Sequence, residues 1–193
     1  MSELIAYRSE RQRLDDTASL GVMVFLAGWA MLHAGLLFAI LTLRIRSQPW
    51  LSAGSAQPGM GLPAAGVVVL LAGSAAMQLG VWRIERGRPL ELSAALILAL
   101  LFGLLFVGLQ VALWRHLESA GSRTSGHGSG LWVVVALLTL EAAVAAGASG
   151  ALLSRSLEGR YSAARHLGVR LWTLYWHFLA AMNLLAFAVT LAE

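Results

Sequence analysis

The sequence predicts an all-α polytopic membrane protein in which five transmembrane helices form one bundle, and three observations carry that prediction. Hydrophobic residues occupy 58% of the 193 positions and charged residues only 12%, about half the charged share of a soluble domain. Five apolar stretches are each about 21 to 24 residues long, enough at 1.5 Å per residue to cross a hydrocarbon core of roughly 30 Å as a helix. Polar connections rich in Gly, Ser and Arg separate them. Lipid offers no partner to an unpaired backbone amide, so such spans have to be helical.

Residues 1–19 form a polar N-terminal segment, and 20–193 are expected to form a single membrane domain. The first span, 20–43, is longer than a signal-peptide core, shows no small-residue cleavage site and runs into Arg44 and Arg46. It is read as a retained span. After "SQPWLSAGSAQPGMG" the second span, 62–82, opens on Leu62 and Pro63, and a proline in the first helical turn has no N–H to waste. "RIERGRP" leads to the third span, 93–113, near whose end stands "GLQVALW". "HLESAGSRTSGHGSG" precedes the fourth, 130–153, and "SRSLEGRYSAARHLGVR" the fifth, 171–191. None of these connections is long enough for a second domain. Small residues recur inside the spans, as in "AAGVVVLLAGSAAM" and "EAAVAAGASGALL", which lets helices approach closely.

All 14 basic residues are arginine. Ten lie in the N-terminal segment and the second and fourth connections, and four in the first and third. The positive-inside rule therefore expects a cytoplasmic N-terminus and an external C-terminus. The formal charge of +4 is explained by this orientation, with no nucleic-acid partner. The absence of cysteine excludes disulfides, iron–sulfur clusters, thiolate zinc sites and cysteine nucleophiles. No phosphate loop, HExxH run or nucleophile elbow is present.

Intramembrane ionisable groups are costly and usually face a bundle interior. Here they are His33, Glu141 and His177, joined by neutral Gln78, Gln110 and Asn183. His33 lies about 13 residues, roughly 20 Å, from the cytoplasmic end of its span, and Glu141 about 12 residues, roughly 18 Å. Equal depth leads to the expectation that these two meet and offset each other's burial. His177 lies only about 6 residues, roughly 9 Å, inside, a mismatch that argues against His33 and His177 as axial ligands of one haem. His177 is read as a hydrogen-bonded polar contact at a helix or subunit interface, in preference to a haem ligand or proton carrier. Trp29, Trp114, Tyr175 and Trp176 are expected as lipid or interface contacts. The buried polar contacts are expected at His33, Glu141, Gln110 and His177.

Several stretches carry a resemblance: "LAGWAMLHAGLLFAILTLRIRSQPW" in the first span, "LPAAGVVVLLAGSAAMQLGVWRIERGR" in the second, "GLQVALW" in the third and "YWHF" at 175–178. In order and spacing they resemble subunit III of the haem-copper oxidase superfamily, in its short five-helix bacterial form, over nearly the whole chain. The departures are specific. The family's helix-one carboxylate falls on Trp29, its helix-four histidines on Ala142 and Ala145, its helix-three acid on Leu113, and the acid after "WHF" on Ala180. Gln110 and His177 remain. His33 follows Trp29 by one turn and Glu141 adjoins the lost histidines, so the resemblance implies an exchange of acid and base between the two helices that would keep a buried cross-link.

The resemblance implies an accessory subunit of a proton-pumping terminal oxidase of aerobic respiration, in the bacterial inner membrane. It implies that this chain binds no cofactor, that haem and copper reside in partner subunits I and II, and that the chain packs on subunit I, holds membrane phospholipids and supports sustained proton uptake and stability. A quinol oxidase or nitric oxide reductase is an alternative parent complex. A cytochrome b-like or transporter-like protein using His33, Glu141 and His177 is an alternative of another class.

Overall fold

The computed structural model describes residues 2–46, 60–119 and 126–191. Over these the chain forms five α-helices, α1 (Ser2–Arg46), α2 (Gly61–Glu85), α3 (Pro89–Ser119), α4 (Gly126–Leu157) and α5 (Leu167–Leu191), with no named strand among the described residues. All five are long and apolar enough to cross a membrane. Residues 47–59 and 120–125, in the first and third connections, lie outside the described residues.

The helices extend beyond the apolar runs that predict them. α1 is continuous through residue 20, and α3, α4 and α5 each begin four residues before the expected 93, 130 and 171. Hydropathy marks where lipid lies, whereas the helix continues until a residue stops it. Pro89 is itself a good opening residue for α3, since a first-turn residue has no intrahelical acceptor for its N–H. Glycines stop α2 and α4. Gly87 and Gly159 have φ of +72° and +70°, a conformation other residues adopt at a cost. Each turn closes with the paired bonds of a Schellman cap. Gly87 N–H donates to Ile84 O at 2.9 Å and Arg88 N–H to Arg83 O at 3.0 Å; Gly159 N–H donates to Ser156 O at 3.0 Å and Arg160 N–H to Arg155 O at 3.1 Å.

α3 packs between α2 and α4, and α5 packs against the same two helices, completing a four-helix unit. α1 lies outside it on α4 and α5, without packing on α2 or α3 among the described residues. Among its described residues the buried ones are Leu26, His33 and Ile40, a seven-residue spacing that makes one narrow seam. Val22, Leu36 and Leu37 are partly buried against the core beside this seam, while Met31 and Phe38 are exposed, as are Leu101, Leu104 and Leu105 of α3. Large apolar side chains on the outside suit a helix bundle whose solvent is lipid.

Close approach inside the unit depends on glycines at positions 66, 73 and 80 of α2, again seven residues apart. A Cβ on Gly66 would lie 3.1 Å from the Phe106 ring, one on Gly80 3.2 Å from Leu92, and one on Gly73 only 2.4 Å from the Trp176 ring. Without a hydrophobic drive between helices in lipid, such van der Waals contact is a main source of association. Gly73→Ala is therefore expected to lower stability by about 1–3 kcal/mol through overpacking, read as a shifted midpoint of denaturant unfolding in detergent micelles. An unchanged midpoint would mean that α2 and α5 are not in this contact.

Candidate functional site

Two polar clusters of the bundle lie on either side of α5. At the first, α4 presents Glu141, 2% exposed, toward α1. The Trp29 indole N–H donates a hydrogen bond to Glu141 Oε1, and His33 Nε2 lies 3.2 Å from the same oxygen. His33 Nδ1 is 3.0 Å from the Trp29 backbone carbonyl. A carbonyl only accepts, so Nδ1 carries the proton it donates. A bare Nε2 facing a bare carboxylate oxygen would set two lone pairs against each other. The contact is favourable when one proton is shared by the pair, on the imidazole or on the acid. Tyr175 O–H donates to the Glu141 backbone carbonyl at 3.1 Å, tying α5 to the same turn of α4. Among the described residues Glu141 Oε2 is buried without a hydrogen bond, and His33 Nε2 is close to Oε1 without making one.

At the second place, α2 clamps His177. The Ser74 hydroxyl pairs with Nδ1, and Nε2 is 3.0 Å from Gln78 Oε1. The Gln78 carbonyl accepts, so Nε2–H is the donor and Nδ1 accepts from Ser74. Both nitrogens of a neutral imidazole are then occupied, which leaves no lone pair for a metal without breaking the Ser74 bond. His177→Ala is expected to lower stability by about 1 kcal/mol, the usual net value of a hydrogen bond, while the haem absorption of any complex containing the chain stays unchanged. Loss of haem signal would restore the ligand role.

His33, Glu141 and Gln110 are buried, but Gln110, on α3, takes no part in the hydrogen bonds around Glu141. Other sequence expectations need correction. His177 is an exposed residue of this chain, hydrogen-bonded on the outer side of α5. Its depth does not differ from that of His33 by about 10 Å, since the His33 ring meets the ring of Phe178 edge-on, centroids 5.8 Å apart. Counting from apolar ends misjudges the comparison, because the apolar runs of different helices need not begin at one level in the bundle. What separates the two histidines is direction, one facing α4 and the other α2.

Trp176 and Tyr175 are not on the lipid-facing or interfacial surface of this chain. Trp176 is fully buried and Tyr175 8% exposed. The Trp176 ring rests against the glycine positions 73 and 103, and its Nε1–H donates to Ser149 Oγ at 3.2 Å. It thereby touches α2, α3 and α4 from α5. Trp29 is half-buried and engaged with Glu141. Trp114 is also half-buried, its ring 5.5 Å from that of Trp132. Sequence reasoning missed the roles of Trp29, Tyr175, Ser74 and Gln78. For the last two a signal exists: Ser74 and Gln78 are four residues apart, hence on one face of a helix.

A family model described as cytochrome c oxidase subunit III matches residues 9–191. The chain belongs to the cytochrome c oxidase subunit III family. It is 27% identical over 173 residues to the cytochrome c oxidase subunit 3 of Synechocystis sp., covering 89% of this chain and 74% of that protein. It is 28% identical over 177 residues to a probable cytochrome c oxidase subunit 3 of Mycobacterium leprae, covering 90% and 87%. In this subunit III family member the cross-link between the first and fourth helices runs from an acid on α4 to an indole and an imidazole on α1. No group of three or more His, Asp or Glu side chains is placed to hold a metal among the described residues. The arrangement of Trp29, His33 and Glu141 fastens α1 to α4.

Proposed function

We propose that this chain is the accessory, non-redox subunit III of a proton-pumping haem-copper terminal oxidase of the cytochrome c oxidase type. The family match over residues 9–191 carries this reading. In it, haem and copper belong to subunits I and II, and this chain packs beside subunit I in a bacterial inner membrane. It holds phospholipids against its helices and prolongs proton uptake and stability during turnover. The exposed apolar faces of α1 and α3 support lipid and subunit contact. The excess of arginine in the N-terminal segment and in the second and fourth connections supports a cytoplasmic N-terminus.

Affinity purification through a tag on this chain, followed by an optical spectrum, tests the assignment directly. A haem-copper subunit I and its absorption bands are expected to co-purify, and a preparation without them would sink it. Deleting the chain separately tests the supporting role. The initial oxidase rate is expected to persist while activity decays over fewer turnovers, and equal decay with and without the chain would remove that role.

A further inference from the structure

A cavity of about 680 Å³ opens between α1, α2 and α5. It exists because α1 packs on α5 without reaching α2. Along α5 it runs from His166 to His177, roughly 16 Å at the helical rise. The volume lies within the range of roughly 300–1,000 Å³ that holds small ligands.

The lining is divided by chemistry. Near one end stand Asp15 and Asp16 of α1, Arg170 of α5, and Glu85 of α2. Glu85 Oε1 lies 3.6 Å from His166 Nε2, close enough to pair with it when the imidazole is protonated. The other three charges form no ion pair with one another or with any other described residue. Two carboxylates and one guanidinium therefore line one cavity from different helices without neutralising each other. Met23, Trp82 and Leu174 provide apolar wall beside them.

We propose that this groove selects a phospholipid whose headgroup joins a phosphate to a primary ammonium, in preference to an anionic phospholipid. The proposal rests on the lipid-holding reading above and names the lipid class and the residues that choose it. The planar guanidinium of Arg170 matches a phosphate with two parallel donors. The three N–H groups of a primary ammonium give charge-assisted bonds to Asp15 and Asp16. An acyl chain covers Met23, Trp82 and Leu174. An anionic glycerol headgroup satisfies Arg170 but leaves both carboxylates facing negative charge, and a quaternary ammonium has no N–H to donate.

The test uses the intact complex, washed in detergent and offered phosphatidylethanolamine, phosphatidylglycerol and phosphatidylcholine of identical chains in equal amounts. Retained lipid is counted by native mass spectrometry. The natural chain is expected to retain phosphatidylethanolamine over phosphatidylglycerol by roughly fivefold, the scale of one or two exposed charge pairs. The double change Asp15→Asn and Asp16→Asn should bring that ratio within about twofold of unity. Arg170→Gln should reduce retention of both lipids. All three positions lie at the rim of the fold, so folding is not at issue, and a circular dichroism spectrum checks it. A natural ratio near unity, or one that the double change leaves intact, overturns the proposal while leaving lipid holding in place. Retention that no variant alters, with no lipid preference, removes the groove as a lipid site altogether.

Discussion

Trp176→Ala is expected to be the most destabilising single truncation in the bundle interior, at about 3 kcal/mol. Large aromatic-to-alanine changes in packed cores cost about 3–5 kcal/mol, partly as lost transfer from water and partly as the cavity left behind. In a bilayer the unfolded helix still sits in lipid, so the transfer part shrinks and the packing part remains. Trp176 has much of that part to lose, because it is fully buried and reaches Gly73 of α2, Gly103 of α3 and Ser149 of α4. Trp176→Phe keeps one ring and gives up the bond to Ser149, so about 1–2 kcal/mol is expected. Combined with Gly73→Ala, the smaller ring should accommodate the added methyl, making the double variant more stable than additivity allows. The measurement is the unfolding midpoint in mixed micelles, with the lipid-facing Leu104→Ala as reference. A Trp176→Ala loss no larger than that of Leu104→Ala would show that Trp176 does not hold these helices together.

The helices themselves are legible because hydropathy and length are properties of one segment at a time. The direction of a side chain around its helix is harder to read in a membrane protein, where both faces of a span are apolar. Tyr175 and Trp176 illustrate the difficulty. Aromatic residues near a span end usually anchor at the interface, but α5 begins at Leu167, which puts both a turn deeper, and the glycines that make room for Trp176 lie on other helices. His177 shows the same gap from the other side. Its residue type marks it as polar contact, yet its clamp depends on Ser74 and Gln78, about one hundred residues away in the chain. His33 and Glu141 are the case where depth alone suffices, since each is the ionisable residue of its span at nearly the same level. Even there, the Trp29 indole bond to Glu141 is invisible, because a tryptophan at the position of a family carboxylate reads as a loss and not as a donor.

Glu141→Ala is expected to lower stability by about 3 kcal/mol, and the reason lies in what it leaves behind. The change strands the Trp29 N–H and the His33 ring in an interior where His33 is 3% exposed, and removing one member of a buried charged pair typically costs about 3–5 kcal/mol. Replacing both partners is a different matter. In His33→Leu with Glu141→Leu no ionisable group remains to be buried, so the double variant should be more stable than Glu141→Ala, despite carrying more substitutions. The coupling energy from the full cycle then separates two physical pictures. Interhelical hydrogen bonds in membranes average about 0.6 kcal/mol by this method, because the separated helices find other partners. An acid and a base 3.2 Å apart that share a proton, with no such substitute in lipid, should show a coupling above about 1.5 kcal/mol. A value near the membrane average would make the pair one more neutral contact along the α1 seam, and a value near zero would mean that Leu26, Ile40 and the surrounding packing hold α1 without it.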